Sequence, residues 1–108
     1  MKFMDDIFKK VEELILSRKS ASADESYVAS LHQKGVDAIL KKIAEESSEV
    51  IMAAKDDSKS EIIHEVADLI FHLLVLLGYK DISIDEIGKE LSNRFGTSGI
   101  EEKKNRNK

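Results

Sequence analysis

The sequence of 108 residues contains no cysteine, no proline and no tryptophan, and only 6% of its residues are aromatic. Without cysteine the chain can form no disulfide and has no thiol chemistry, which fits a cytoplasmic protein. The absence of proline and the scarcity of aromatic residues favour helices over a sheet. The longest apolar run, Leu73 to Leu77, is far too short to cross a bilayer.

The charge is mixed, with 35% charged residues and a formal net charge of −4. This balance does not indicate a general nucleic-acid-binding surface. The first ten residues include acids and no hydrophobic block, so they do not resemble a signal peptide. We therefore expect a single domain over residues 1–108, with a flexible tail from about residue 100, in the cytoplasm and with no nucleic-acid or membrane partner.

Apolar residues recur at helical spacing and predict an all-α bundle of four main helices and a short one. The expected ranges are 5–17, 24–34 for the short helix, 36–55, about 59–78 and about 84–95. Capping boxes that start at Ser22, Ser58 and Ser83 open the second, fourth and fifth helices. The third helix is expected to bury Val36, Ile39, Leu40, Ile43, Val50, Ile51 and Ala54.

Acidic residues form a stripe on the third helix, in the segment KKIAEESSEV. Lys42, Glu46 and Glu49 share one helix face and Glu45 lies at its edge. At about 100° per residue, the stripe lies roughly 130° from the centre of the predicted core face. Taken alone, these glutamates are explained by a solvated helix face with pairing to neighbouring lysines.

The helix that follows is apolar around almost its whole circumference from Ile62 to Leu77, apart from a strip of Glu61, Glu65, Asp68 and His72. Such a helix is normally buried, and a second copy of the chain is needed to cover it. A buried carboxylate costs several kcal/mol unless it is paired with a cation or bound to a metal. Taken alone, Glu65 and Asp68 are explained equally well as partners of buried lysine or arginine.

The two stripes together indicate a metal site. A short loop makes neighbouring helices antiparallel, so both stripes can face one pocket with too few basic residues to pair them. Oxygen-only clusters of this kind suit Mg²⁺ or Mn²⁺. No Ser–His or Cys–His pattern and no glycine-rich phosphate loop offers a competing chemistry.

Three segments closely resemble the phosphoribosyl-ATP pyrophosphatase family: SYVASLHQKGVDAILKKIAEESSEVIMAAKD, HEVADLIFHLLVLL and LSNRFGTSGIEEK. This family belongs with the MazG-like all-α nucleoside triphosphate pyrophosphatases, whose signature is EExxE followed by ExxD. In this sequence the signature residues are Glu45, Glu46, Glu49, Glu65 and Asp68. The resemblance covers residues 26–103, and Ala44 stands where glycine is expected.

The resemblance implies a MazG-like helical bundle, completed by homodimerisation, in the cytoplasm. It also implies hydrolysis of phosphoribosyl-ATP to phosphoribosyl-AMP and pyrophosphate, the second step of histidine biosynthesis. Mg²⁺ is the expected cofactor and Mn²⁺ its expected substitute. Two alternatives are a housecleaning nucleoside triphosphate pyrophosphatase of the MazG type and a non-enzymatic helical dimerisation module.

Roles for individual residues follow as hypotheses from the resemblance. The catalytic acids are Glu45, Glu46 and Glu49, and Glu45 is either a fifth ligand or the base that takes a proton from water. The metal ligands are Glu46, Glu49, Glu65 and Asp68. Phosphate contacts are expected from Lys42, Lys55, Arg94 and Ser98, although the GTSG turn around Ser98 also reads as a hinge. His72 either forms a hydrogen bond to a ligand carboxylate or packs in the core. Tyr27 either packs against other helices or lines the substrate site.

Overall fold

The computed structural model describes residues 2–96, and this range holds five α-helices. They are α1 (Lys2–Arg18), α2 (Tyr27–Lys34), α3 (Val36–Lys55), α4 (Lys59–Tyr79) and α5 (Ile84–Phe95). No strand occurs among the described residues, so the predicted all-α class with one short helix is confirmed. The tail predicted to be flexible from about residue 100 lies outside the described residues, and the single-domain organisation stays a prediction.

α3 and α4 form a helical hairpin, and their mutual contact is the most extensive between helices in the described part of the chain. Residues 56–58 connect them, with Asp57 in the left-handed conformation at φ 57°. The Ser58 hydroxyl caps α4 by accepting a hydrogen bond from the Glu61 backbone N–H at 3.4 Å. Because so short a connection makes the helices antiparallel, the two acidic segments lie side by side.

The core lies where α1 and α2 pack on this hairpin, and its buried members are Ile15, Val28, Leu31, Ile39, Leu74 and Val75. α1 approaches α4 closely at Gly78, where an added Cβ would lie 2.9 Å from Ile15 Cγ2. Lys19 Nζ donates to the Gly78 carbonyl oxygen at 2.8 Å and so caps the end of α4. These contacts fix the C-terminal half of α4 and leave its acidic N-terminal half against α3.

α5 is joined to α1 by polar contacts at its start. The Ile84 backbone N–H donates to the Glu12 carboxylate at 2.6 Å. The predicted capping box is present in full, because Ser83 and Glu86 each accept a hydrogen bond from the other's backbone N–H. α5 therefore begins at a well-defined position over the N-terminal helix.

The start of α2 differs from the prediction. The helix begins at Tyr27, and Ser26 caps it by accepting a hydrogen bond from the Ala29 N–H at 3.2 Å. Ser22, which was expected to cap the helix, accepts one instead from the Asp24 N–H within a turn. The predicted start at residue 24 is therefore wrong, because two overlapping serine caps compete and the later one is used.

The buried face of α3 also differs from the prediction. Its fully buried residues are Ile39, Glu46 and Ala53, which are seven apart and therefore lie on one face. Leu40 and Ile51, which were predicted to lie in the core, are 46% and 62% exposed. Glu46 thus lies on the core face itself and not 130° from it, since α4 packs along this line.

α4 is long and apolar enough, with a mean hydropathy of 1.7, to cross a membrane by length and composition alone. Core helices of soluble proteins pass the same test, but only 22% of this apolar stretch is buried in the chain. An apolar cleft of about 240 Å³ runs beside it, lined by Phe8, Ile70, Leu73, Leu74, Leu76, Leu77, Ile84 and Ile87. Exposed apolar surfaces of this kind are typical of sites that bind a protein, a membrane or a ligand.

Candidate metal and active site

Three carboxylates from the two helices of the hairpin meet at one point. Glu46 and Glu49 come from α3 and Glu65 comes from α4, and one oxygen of each lies within 4.8 Å of the others. Glu46 and Glu49 are three residues apart on one helix, so they present their side chains in the same direction. The antiparallel partner helix supplies the third acid from the opposite side.

Glu46 is 5% exposed, which is unusual for a glutamate. Its Oε2 atom is buried and has no hydrogen-bond partner, and the same is true of Glu65 Oε2. Unpaired carboxylate oxygens in such a place cost several kcal/mol unless a cation fills the space between them. The donor set consists of oxygens at close spacing, so these residues fit a hard divalent cation.

One lysine lies at the edge of this cluster. Lys42 Nζ lies 3.4 Å from Glu45 Oε2 and 3.5 Å from Glu46 Oε1. Partial burial works against the charge on Lys42, but Tyr27 and Glu45 outweigh it and raise the pKa of Lys42 above its ordinary value. Within residues 2–96, no lysine or arginine forms an ion pair with Glu49 or Glu65, so the acids are not each neutralised by a basic partner.

Glu49 shows how the carboxylates interact without a cation. The neighbouring Glu65 carboxyl group raises the pKa of Glu49, mainly through a hydrogen bond and additionally through its charge, while Glu46 acts in the opposite direction. Like charges so close together retain a proton more readily than an isolated glutamate does. A divalent cation bound here would displace that proton.

Asp68 lies one turn beyond Glu65 on α4 and belongs to a second group of potential ligands. This group consists of His64, Glu65 and Asp68, again with one atom of each within 4.8 Å of the others. Glu65 is common to both groups. A cleft of about 380 Å³, lined by Glu49, Met52, Ala53, Asp56, Glu61, His64 and Glu65, opens beside them and gives access from solvent.

His72 is buried, with 5% exposure, and links α4 to α2. Its Nδ1 lies 2.8 Å from the Asp68 main-chain oxygen, so this nitrogen carries the proton and donates it. Nε2 is then the acceptor for the Tyr27 hydroxyl at 2.8 Å. Burial raises the pKa of Tyr27, which keeps the hydroxyl protonated as this bond requires. His72 therefore contacts Asp68 through the backbone and not through its carboxylate.

The other predicted residues are placed as follows. Glu45 is half-exposed and paired with Lys42. Lys55 is exposed at the end of α3, nine residues and therefore about 13 Å along the axis from Glu46. Arg94 lies on α5 and pairs with Glu90 at 3.0 Å, and it forms no ion pair with the acids of α3 or α4 among the described residues. Ser98 lies outside the described residues.

Two features were not recognised from the sequence. His64 was not considered, although its position four residues before Asp68 places both on one helix face. The bond between Tyr27 and His72 joins residues far apart in the chain, and no spacing rule predicts it. The spacing of His64 and Asp68 could have been recognised from the sequence, whereas the bond between Tyr27 and His72 could not.

Comparison with known proteins gives consistent results. The family model described as phosphoribosyl-ATP pyrophosphohydrolase matches residues 8–95. A phosphoribosyl-ATP pyrophosphatase of Vesicomyosocius okutanii is 61% identical over 104 residues, which are 96% of this chain and 99% of the relative. One from Ruthia magnifica is also 61% identical with the same coverage, and one from Geobacter metallireducens is 59% identical over 96% of this chain and 95% of the relative.

Proposed function

Because this chain belongs to the phosphoribosyl-ATP pyrophosphohydrolase family, we propose that it hydrolyses phosphoribosyl-ATP to phosphoribosyl-AMP and pyrophosphate. It is thus a hydrolase of a phosphoanhydride bond, with a nucleotide as its substrate and a place in histidine biosynthesis. The family match covers every helix that contributes to the acidic site.

The observation that carries the proposal is the burial of Glu46 with an unpaired oxygen, beside Glu49 and Glu65. A helical dimerisation module gains nothing from a buried, unpaired carboxylate that destabilises its fold. An enzyme that cleaves a polyphosphate needs carboxylates that hold a cation, because the negative oxygens of the substrate repel the attacking water and must be neutralised.

We propose Mg²⁺ as the cofactor, with Mn²⁺ as a substitute, held by Glu46, Glu49, Glu65 and Asp68. When bound, the ion neutralises phosphate charge and makes water more acidic. The site fits this role because its donors are all carboxylate oxygens in close proximity, apart from the nearby His64. Buried Glu46 fixes one side of the site, and the half-exposed Asp68 lies on the side that faces solvent.

We propose that Glu45 and Lys42 act on the reacting groups. In this proposal Glu45, exposed at the edge of the cluster, takes a proton from the attacking water. The water oxygen bonds to phosphorus while the bond to pyrophosphate breaks, and pyrophosphate leaves with the electron pair. Lys42 Nζ, already within 3.5 Å of two carboxylates, offsets their charge and contacts a substrate phosphate. Contacts from Lys55, Arg94 and Ser98 stay predictions.

The function is tested by measuring pyrophosphate release from phosphoribosyl-ATP and from a panel of ordinary and modified nucleoside triphosphates. We expect a kcat/KM for phosphoribosyl-ATP at least about a hundredfold above that for any other substrate, a difference of under 3 kcal/mol that a few ribosyl-phosphate contacts can provide. A preference for modified nucleotides would instead identify a housecleaning enzyme. Release from none of them, with Mg²⁺ or Mn²⁺ present, would contradict a catalytic role.

We further propose that two copies of the chain form a cytoplasmic homodimer through the apolar side of α4. Only 22% of the apolar stretch of α4 is buried within the chain, and Leu73 on this helix is 40% exposed. A bilayer is a poor alternative cover, because Glu65 and Asp68 on the same helix belong to a site that must admit a nucleotide and a cation.

The dimer is tested with Leu73→Glu, which places a charge in the apolar cleft beside α4. We expect this change to weaken self-association at least about a hundredfold, because an unpaired charge buried in an interface costs several kcal/mol. Sedimentation velocity over a concentration series measures it. Leu14→Glu is the control, since Leu14 is similarly exposed but lies on α1 outside the cleft. A wild-type monomer at all concentrations, or equal weakening by both changes, would contradict this interface.

A further inference from the structure

We propose that His64 is a metal ligand, and that with Glu65 and Asp68 it forms a nitrogen-containing position that takes Mn²⁺, Co²⁺ or Zn²⁺ in preference to Mg²⁺. This inference rests on the proposed function, because Glu65 and Asp68 are among the carboxylates of that site. It extends the function by giving the site a donor that the acidic signature lacks.

The distances between the three side chains suit a shared ion. His64 Nε2 lies 3.5 Å from Asp68 Oδ2 and 3.7 Å from Glu65 Oε1. When metal–ligand bonds are about 2.1 Å long, adjacent ligands in an octahedral site are about 3.0 Å apart and opposite ligands about 4.2 Å. The observed separations fall between these values, so small side-chain rotations would bring all three atoms onto one cation.

The same distances do not describe strong ion pairs. A charge-assisted hydrogen bond between an imidazolium and a carboxylate is about 2.7–2.9 Å long. His64 makes no such bond to either acid, and its ring is 72% exposed. The imidazole is therefore close to both carboxylates without being tied to one of them, as expected of a ligand before its ion binds.

The spacing of these residues is one that metal-binding helices use. In the zinc-binding pattern H-E-x-x-H, two ligands four residues apart project from one face of a helix. Residues 64–68 read HEVAD, with His64 and Asp68 at the two ligand positions. The intervening Glu65 contributes a buried oxygen, Oε2, that has no hydrogen-bond partner. Because the Glu65 oxygen nearest to His64 is Oε1, the unpaired Oε2 atom supports a cation at the adjoining group of Glu46 and Glu49, with which His64 shares Glu65.

The choice of metal follows from the donor types. Mg²⁺ strongly prefers oxygen ligands, whereas Mn²⁺, Co²⁺ and Zn²⁺ accept imidazole readily. A site with two carboxylates and one imidazole should therefore gain affinity for the second group of ions and little for Mg²⁺. The other two histidines do not compete for the role, because His72 uses both ring nitrogens in hydrogen bonds and His32 packs on the ring of Tyr79 with its Nε2 atom buried.

The test uses the full chain loaded with less than one equivalent of Mn²⁺ in a nitrogen-free buffer. Electron spin echo envelope modulation should show coupling from a directly bound ¹⁴N, and uniform ¹⁵N labelling should convert it to the ¹⁵N pattern. His64→Ala should abolish the coupling, while the control His32→Ala should retain it. Titration calorimetry should show Mn²⁺ binding weakened at least about tenfold in His64→Ala, with Mg²⁺ binding changed less than threefold, because only the former uses the imidazole.

Bound Mn²⁺ without nitrogen coupling in the wild-type protein would overturn the assignment of His64. So would coupling that persists in His64→Ala, or an equal loss of affinity for both ions. Mg²⁺-dependent turnover of phosphoribosyl-ATP by the same wild-type preparation is measured in parallel. If turnover is present and the coupling absent, the proposed function stands and only this inference fails.

Discussion

Asp68→Ala is expected to lower the turnover number for pyrophosphate release by about a thousandfold or more. Neutralisation of charge by a metal ion contributes several kcal/mol to a phosphoryl-transfer transition state, and each 1.4 kcal/mol is worth about a factor of ten. Asp68 is the one acid of the proposed set that lies one turn beyond Glu65, on the side of the site where His64 also lies. The change is measured as pyrophosphate released per second at saturating Mg²⁺ and substrate.

The fold should survive this substitution. The Asp68 side chain is 42% exposed, and among the described residues it makes no hydrogen bond and only one long ion pair, with His64. Helical circular dichroism should therefore be unchanged. Asp37→Ala, at an exposed aspartate in the first turn of α3, controls for the loss of one negative charge. Full turnover in Asp68→Ala would remove the basis for the metal assignment.

Glu46→Gln is expected to change stability and activity in opposite directions. In the absence of divalent cations, removal of this buried charge should raise the free energy of unfolding by about 1–3 kcal/mol, because Glu46 lies beside two other carboxylates with one oxygen unpaired. The same change should reduce turnover at least about a hundredfold, since a neutral amide is a poor ligand for Mg²⁺. Such an exchange of stability for activity is typical of functional sites.

Thermal unfolding with a chelator and with excess Mn²⁺ measures the effect on stability. With the chelator, Glu46→Gln should melt above the wild type by about 4–8 °C for each kcal/mol gained. With Mn²⁺ at about 1,000 times its dissociation constant, the wild type gains about 4.1 kcal/mol, which exceeds the advantage of the variant, and the order should reverse. Glu45→Gln, at the exposed neighbour, should shift the melting temperature little in either condition. A variant less stable than the wild type with the chelator would show that Lys42 already neutralises Glu46.

Hydrophobic spacing and capping patterns predicted the helices well, because each depends on residues within one or two turns. The full capping box at Ser83 formed as expected. The start of α2 did not, since Ser22 and Ser26 offer alternative caps and packing of Tyr27 against Phe71 and His72 favours the later one. Local patterns identify both candidates, but only tertiary contacts decide between them.

The site was predicted less completely than the helices. The two acidic stripes were identified as facing each other, and the structure brings Glu46, Glu49 and Glu65 together. The burial of Glu46 was misjudged, because the hydrophobic spacing of α3 placed its acidic stripe away from the core face. Glu46 departs from that spacing, so its burial becomes visible only when α4 is packed against α3. The apolar circumference of α4 indicates that other residues must pack on this helix, but it does not identify them.

The helical hairpin of α3 and α4 has a consequence for how the site forms. All four proposed ligand carboxylates come from residues 46–68, and a connection of three residues closes the loop between them. Contacts of such low sequence separation form early in folding and lose little chain entropy on closure. The spacing of the acids is therefore set within the α3–α4 hairpin. Substitutions in α1 or α5 can change the stability of the protein while the arrangement of the proposed ligands is preserved.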